Sequence, residues 1–237
     1  MTGALSMLAS SSKKPFIFSP TISANTTNYN LSTAATAAGW NGTDRLQATL
    51  TNNAYVGSTT TGAALTIPSL PTYSTVNIIN NGVICGRGGN GGNGGVSGDA
   101  SGKVGAVGGL ALSVAYPITI NNAAGIIGGG GGGGGGSAYD SVEPENGSGG
   151  GGGRGHTPGS GGTGGIAGQA ATKLVAGAGS PRGFATFDAG DGGDRGAAGQ
   201  AGSGASAGAG GNPGAAISGY SYITWAALGS IMGNTSG

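Results

Sequence analysis

Apolar positions change rhythm twice along this chain. In the first third they come as short groups set off by Ser, Thr and Asn. Phe16-Ile17-Phe18, ahead of Ser19-Pro20, reads as a short strand. Residues 29–38 admit two readings: strand, or a short helix over 31–38 with Gly39 as its C-cap. Residues 46–51, 54–58, 64–67 and 75–85 read as strands separated by Asn-Asn, Gly and Pro punctuation. The pattern predicts a small β-rich domain over residues 1–84.

From residue 86 the period becomes three. Gly86, Gly89, Gly92, Gly95 and Gly98 keep it, as do Gly102, Gly105 and Gly108. It returns in Gly159, Gly162, Gly165 and Gly168, and again in Gly190, Gly193, Gly196, Gly199 and Gly202. Nine consecutive glycines run from Gly128 to Gly136. Period three is neither the 3.6 of an α-helix nor the 2.0 of a strand. It belongs to the extended left-handed helix, which rises about 3.1 Å per residue and has no internal hydrogen bonds. Every N–H and C=O must then find a partner on another segment. Ordering a glycine costs about 0.5–1 kcal/mol more than ordering an alanine. Dense bonding between runs folded back side by side offsets that cost. The expected fold class is therefore mainly β and irregular. An amino-terminal β-rich domain (1–84) precedes a polyglycine-II bundle (85–216) and a closing strand and tail (217–237).

Two stretches echo each other. Ile79-Asn80-Asn81-Gly82-Val83-Ile84 leads into the first glycine run, and Ile120-Asn121-Asn122, then Gly125-Ile126-Ile127, leads into the second. Two copies fall short of a solenoid and suggest two equivalent entries into the bundle. Residues 217–225 alternate and are rich in β-branched and aromatic side chains. They read as a strand that pairs with the amino-terminal β region or lies along the bundle.

Composition narrows the function classes. Charged residues make up 7% of the 237 and the net charge is +1, with no basic block to suit nucleic acid. No apolar run reaches the length of a membrane span. The Lys13-Lys14 pair follows the first apolar residues, the reverse of a secretory signal, which implies synthesis and folding in a cytoplasm. The single cysteine, Cys85, excludes an intrachain disulfide and reads as a small buried hydrophobe.

Candidate chemistry is sparse. Gly204-Ala205-Ser206-Ala207-Gly208 matches a nucleophile elbow, but that motif needs a strand before, a helix after and a later histidine. The sole histidine, His156, comes earlier. One histidine and one cysteine far apart make no zinc site. Acids cluster as Asp140, Glu143 and Glu145, and at spacing three as Asp188, Asp191 and Asp194. A cation site and a carboxylate pair are the sharp readings; solvated loop tips and one edge of a three-residue helix are the plain one. The expectation is a non-enzyme with no cofactor and no metal.

Distinctive side chains sit in the interruptions between glycine runs. Tyr139, Asp140, Glu143, His156, Arg182, Phe184 and Phe187 are the candidate contacts, because aromatic and charged residues on loops held by a rigid scaffold make binding surfaces.

Residues 15–31, 78–89, 120–128 and 217–225 resemble glycine-rich tail proteins of bacteriophages and prophages, and the glycine-rich part is similar to the tail-fibre tip adhesins of T-even-like phages. The resemblance implies a polyglycine-II sandwich whose inter-helix loops contact a bacterial outer-surface receptor, protein or glycan. It also implies attachment to other tail or fibre proteins, through residues 1–84, as a homotrimer or as a monomer capping a trimeric fibre. The location would be the virion tail. Two rival readings remain: a tail-tip component without receptor contact, and an ice-binding or cell-surface glycine-rich protein.

Overall fold

A computed structural model describes residues 14–139, 147–180 and 187–237. The β part is a three-sided parallel β-helix. Its first coil holds β1 (Phe16–Phe18), β2 (Thr21–Ile22), β3 (Thr26–Thr27) and β4 (Tyr29–Asn30). The second holds β5 (Leu46–Asn52), β6 (Tyr55–Gly57) and β7 (Leu65–Ile67). The third holds β8 (Thr75–Asn80), β9 (Val83–Cys85) and β10 (Leu112–Val114). The fourth holds β11 (Ile118–Asn121), β12 (Ile126–Gly128) and β13 (Ile217–Ser218). The fifth holds β14 (Ile223–Ala227), β15 (Ser230–Met232) and β16 (Thr235–Ser236). Like positions stack into three parallel sheets: sheet A through β1, β5, β8, β11 and β14, sheet B through β3, β6, β9, β12 and β15, and sheet C through β4, β7, β10, β13 and β16.

Each strand turns one row inward. Leu50, Ile78 and Ile120 stand in register on sheet A. Val56, Ile84 and Ile127 do so on sheet B, and Leu65, Leu112 and Ile217 on sheet C. All nine are buried. Burial of one such side chain stabilises by about 1.5–3 kcal/mol, so the stacked rows are the hydrophobic core.

A buried amide ladder marks the corner between sheets A and B. Asn52 Nδ2 donates to Asn80 Oδ1 at 2.8 Å, and Asn80 Nδ2 donates to Asn122 Oδ1 at 2.7 Å. Asn122 Nδ2 continues the ladder to the Ser230 carbonyl at 3.3 Å. A turn inside the core needs its polar groups satisfied, and Asn supplies both donor and acceptor from one side chain.

Several expectations hold and several are corrected. Residues 29–38 divide between β4 and helix α1 (Leu31–Ala37), whose N-cap Asn30 accepts from the Thr33 N–H at 3.1 Å. The helix stops at Ala38, and Gly39 takes up φ +103°. The expected strand over 75–85 is two strands, because the chain turns the ladder corner at Asn81-Gly82. The echo of Ile79-Asn80-Asn81 in Ile120-Asn121-Asn122 is a true solenoid repeat, not just a pair of entries into the bundle. Sheets A to C also run across the boundaries at 84 and 216, since β10 to β16 complete the same helix that β1 begins. Residues 217–225 contain two strands joined by a 3₁₀ turn at Tyr220–Tyr222, and both pair with the β-helix. The two glycine-rich segments are insertions at one corner, between sheets B and C, in consecutive coils. Among the described residues no helix is long and apolar enough to cross a membrane.

Asn80→Ala leaves Asn52 Nδ2 and Asn122 Oδ1 buried without partners, at about 1–3 kcal/mol each. Urea unfolding should show a loss of about 2–6 kcal/mol in total. Asn81→Ala, which removes an exposed bond to Asn53, should cost under about 1 kcal/mol.

Candidate functional site

Among their described residues, the glycine-rich segments contain neither helix nor strand, apart from an isolated bridge between Val96 and Asp99. Their order comes from backbone bonds between runs. Gly86, Gly89, Gly92 and Gly95 donate in turn to the carbonyls of Gly128, Gly131, Gly134 and Ser137, at 2.8–3.0 Å. The partners advance three residues at a time on both runs.

The nine-glycine run is the centre. The N–H groups of Gly130, Gly133 and Gly136 reach Gly109, Ala106 and Lys103 of one run. Those of Gly131 and Gly134 reach Arg154 and Gly151 of a second, and those of Gly132 and Gly135 reach Ala197 and Gln200 of a third. Its carbonyls accept from three more runs: at Gly131 and Gly134 from Gly89 and Gly92, at Gly132 and Gly135 from Gly193 and Gly190, and at Gly133 and Gly136 from Gly211 and Gly208. Six neighbours thus surround one segment, and no direction is left for a side chain. A Cβ on Gly133 would lie 1.9 Å from the Asn90 carbonyl oxygen, and one on Gly134 1.9 Å from that of Gly190.

This packing defines two ends. Runs 86–95 and 128–138 continue out of β9 and β12, and runs 102–109 and 208–215 return into β10 and β13. The ends near Gly86, Gly109, Gly128 and Gly214 are therefore held by the β-helix, and the ends near Gly95 and Ser137 lie far from it. At the far end Tyr139 N–H donates to the Ala100 carbonyl at 2.9 Å, and Ala138 N–H to that of Ser203 at 3.2 Å. Gly204, at φ +102°, turns the chain against Ala138 and the Phe187 ring. Asp99 on the 96–101 turn forms an exposed ion pair with Lys103 of the following run. The hydrogen bond and charge of Lys103 hold the Asp99 carboxyl below its ordinary value.

Two candidates from the sequence, Tyr139 and Phe187, meet at this far end, both half-buried. Asp140, Glu143, Arg182 and Phe184 lie outside the described residues. The residues flanking 140–146 and 181–186 are at the far end too: Gly147 N–H donates to Gly95, and Ser180 N–H to Gly149. His156 is placed elsewhere. It is 9% exposed, at the near end, with its ring 4.9 Å from Tyr55 of β6. Burial in that seam, with Lys173 nearby, pushes its pKa down. Cys85 is buried, which pushes its thiol up.

The motif readings resolve in the same frame. Gly204–Gly208 is a far-end turn between two glycine runs, without the strand and helix that a nucleophile elbow requires. Asp191 accepts from Gly179 N–H at 2.7 Å, and Asp194 pairs with Arg154 at 2.7 Å. Their spacing of three sets each against a different neighbour. The turns at 96–101, 163–167 and 203–207 also reach the far end. Each is a short break between period-three runs, a signal too brief to single out from sequence.

The family described as phage tail fibre adhesin Gp38 matches residues 18–236. The chain belongs to that family. Among solved structures, the Gp38-family fold is shared with the crystal structure of the gp37-gp38 adhesin tip complex of the bacteriophage S16 long tail fiber. The match has 27% identity and a TM-score of 0.66, covering 93% of this chain and 82% of that one. A comparison with curated proteins finds no match. Membership makes this Gp38-family chain a tail fibre adhesin of the virion tail, and of the rival readings it selects the tail fibre.

Gly133→Ala places a methyl inside a backbone contact and should cost more than about 4 kcal/mol, the extreme of point-mutant effects. Gly62→Ala meets nothing nearer than the Thr60 hydroxyl at 3.2 Å and should stay within about 1 kcal/mol. Thermal unfolding of both variants checks the contrast.

Proposed function

We propose that this Gp38-family adhesin presents a polyglycine-II bundle whose far-end loops bind a bacterial outer-surface receptor during adsorption. The carrying observation is the two-ended bundle. Its near ends are tied to the β-helix, and Tyr139, Phe187 and the flanks of 140–146 and 181–186 gather at the other. Bonding that advances by three, between runs with no helix or strand of their own, supports the polyglycine-II reading. Binding is non-enzymatic: it uses loop aromatics and charges on a scaffold too tightly bonded to rearrange. Asp140, Glu143, Arg182 and Phe184 belong to the same contact set by their position between those flanks. His156 does not, because its ring is occupied in the seam.

Docking to the fibre uses the β-helix. The solved relative is a complex with gp37. Among the described residues, the first coil offers one edge strand from each of three sheets, β1 with β2, β3 and β4. Unpaired strand edges are templates for pairing, and three of them on three sides suit a trimeric fibre tip capped by one copy of this chain. Residues 1–84 contain that coil, in keeping with an attachment role.

Exchanging residues 137–148 and 180–189 for the corresponding loops of an adhesin with another host should redirect adsorption and leave the melting temperature within a few degrees. Unchanged adsorption in the swapped phage would favour a purely structural tip component.

A further inference from the structure

The seam between bundle and β-helix holds a group of buried polar atoms that neither the core nor the far-end loops use. Gly57, Cys85 and Gly128 lie side by side on sheet B, and the lack of side chains at the two glycines leaves room above them. His156 fills the space over Gly57, where an added Cβ would lie 1.8 Å from its Cγ. Arg195 lies over Gly128, 3.5 Å from where a Cβ would be. Tyr55 stands between them. Its ring meets His156 edge-on, its hydroxyl accepts from Arg195 Nη2 at 2.9 Å, and Lys173 Nζ lies 5.7 Å from its centroid. Among the described residues neither ring nitrogen of His156 has a hydrogen-bond partner, and neither does Arg195 Nε; all three are shut off from solvent.

The surrounding charges are mostly positive. Lys173 comes from the turn at 172–175, Arg195 from the turn at 194–197, and Arg154 from the run before His156. Asp194 is engaged with Arg154 at 2.7 Å. From the β-helix come Tyr55 and the buried Cys85 thiol, both neutral. Arg87 points along its own run to Gly88 and Asn90. A neutral imidazole here forgoes one donor and one acceptor. An imidazolium would present two unmet donors and a fourth positive charge, a far larger cost in a desolvated site.

The same turn fastens the outer runs. Thr157 Oγ1 donates to the Ser58 carbonyl at 3.0 Å, and Gly88 N–H donates to the Thr157 carbonyl at 2.9 Å. Runs 86–95, 102–109, 128–138 and 208–215 are continuous with strands. The outer runs, 147–180 and 187–195, instead reach the β-helix through turns at 156–158, 172–175 and 194–197.

We propose that His156 is the key of an acid-sensitive latch that clamps the outer glycine runs onto sheet B while neutral and releases the 156–158 turn when protonated. The proton comes from solvent and rests on a ring nitrogen, which can be hydrated only if the ring leaves the space over Gly57. The released state is local, because the central run keeps its bonds to the strand-anchored runs. The seam is fully closed above the ordinary histidine value of 6.5. It loses stability as pH falls below that value, since the open form takes up the proton first.

His156 is the sole histidine, so a ¹³C-histidine-labelled full chain gives a single imidazole signal. The ring should remain neutral below pH 6.5 while the seam is closed. The exchange protection of the His156 and Gly88 amides, corrected for intrinsic rate, should fall up to tenfold per pH unit below 6.5. The ladder amides of Ala54 and Asn81 should hold theirs. His156→Phe keeps an aromatic ring beside Tyr55 without an ionisable group and should make the seam's profile flat. A ring that titrates at or above 6.5 in the folded protein overturns the latch. So does seam protection that is indifferent to pH, or an equal acid loss in His156→Phe. If His156→Phe fails to fold, the wild-type ring and amide profiles still decide.

Discussion

The whole glycine-rich part rests on one constraint: backbones must approach to hydrogen-bond distance on every side of a central segment. A run with six neighbours has no outward direction, and a single Cβ at Gly133 or Gly134 would fall inside van der Waals contact with a carbonyl. Eight of the nine consecutive glycines, Gly129 to Gly136, are the consequence; at Gly128, in β12, a Cβ would meet only side chains, at 3.5 Å. Farther from the centre a run meets fewer neighbours, and side chains return: Arg87, Asn90 and Asn93 in the first run, Val104 and Val107 in the second. The glycine pattern therefore records how many neighbours each position has. Conformational entropy opposes this order, and the inter-run bonds, roughly 0.5–1.5 kcal/mol net each, are its counterweight.

The β-helix solves a different problem. A bundle of extended runs has no apolar core to fix its register, so its ends must be set from outside. Strands β9, β10, β12 and β13 deliver four runs from one corner at fixed spacing, because consecutive coils are locked by the aliphatic rows and the amide ladder. The near end is thereby defined by the β-helix, and the far end by how many residues each run holds. An adhesin benefits from this division. Loop residues can change without touching either the rows of Leu, Ile and Val or the glycine contacts.

Much of this was legible in the sequence, for identifiable reasons. Period three was visible because every run repeats the same residue at the same facing position. The strands at 46–51 and 64–67 were visible because one face is aliphatic and the other Thr or Gln. The solenoid was hidden because its repeat length is not constant. Ladder asparagines are separated by 28 residues from Asn52 to Asn80, but by 42 from Asn80 to Asn122, because the second interval carries the first glycine-rich segment. His156 was misleading in a simple way. Interruptions alternate between near and far ends, and sequence does not say which end a given turn occupies. Its neighbour Thr157, bonded to Ser58, shows that this turn faces the β-helix. Tyr139 and Phe187 stood out as aromatic residues in breaks between glycine runs, while Gly204 stayed unnoticed inside a coincidental motif.

The central claim is that backbone bonds between runs, and not side-chain packing, hold the bundle. Amide hydrogen exchange at Gly129 to Gly136 in the intact chain tests it most directly. The account predicts protection equal to that of the β-helix core, such as Ile78 and Ile120, since the N–H groups of Gly130 to Gly136 each have a partner on a neighbouring run and that of Gly129 has the Met232 carbonyl of β15. Exchange at the rate of an unstructured glycine segment at these eight positions would contradict it.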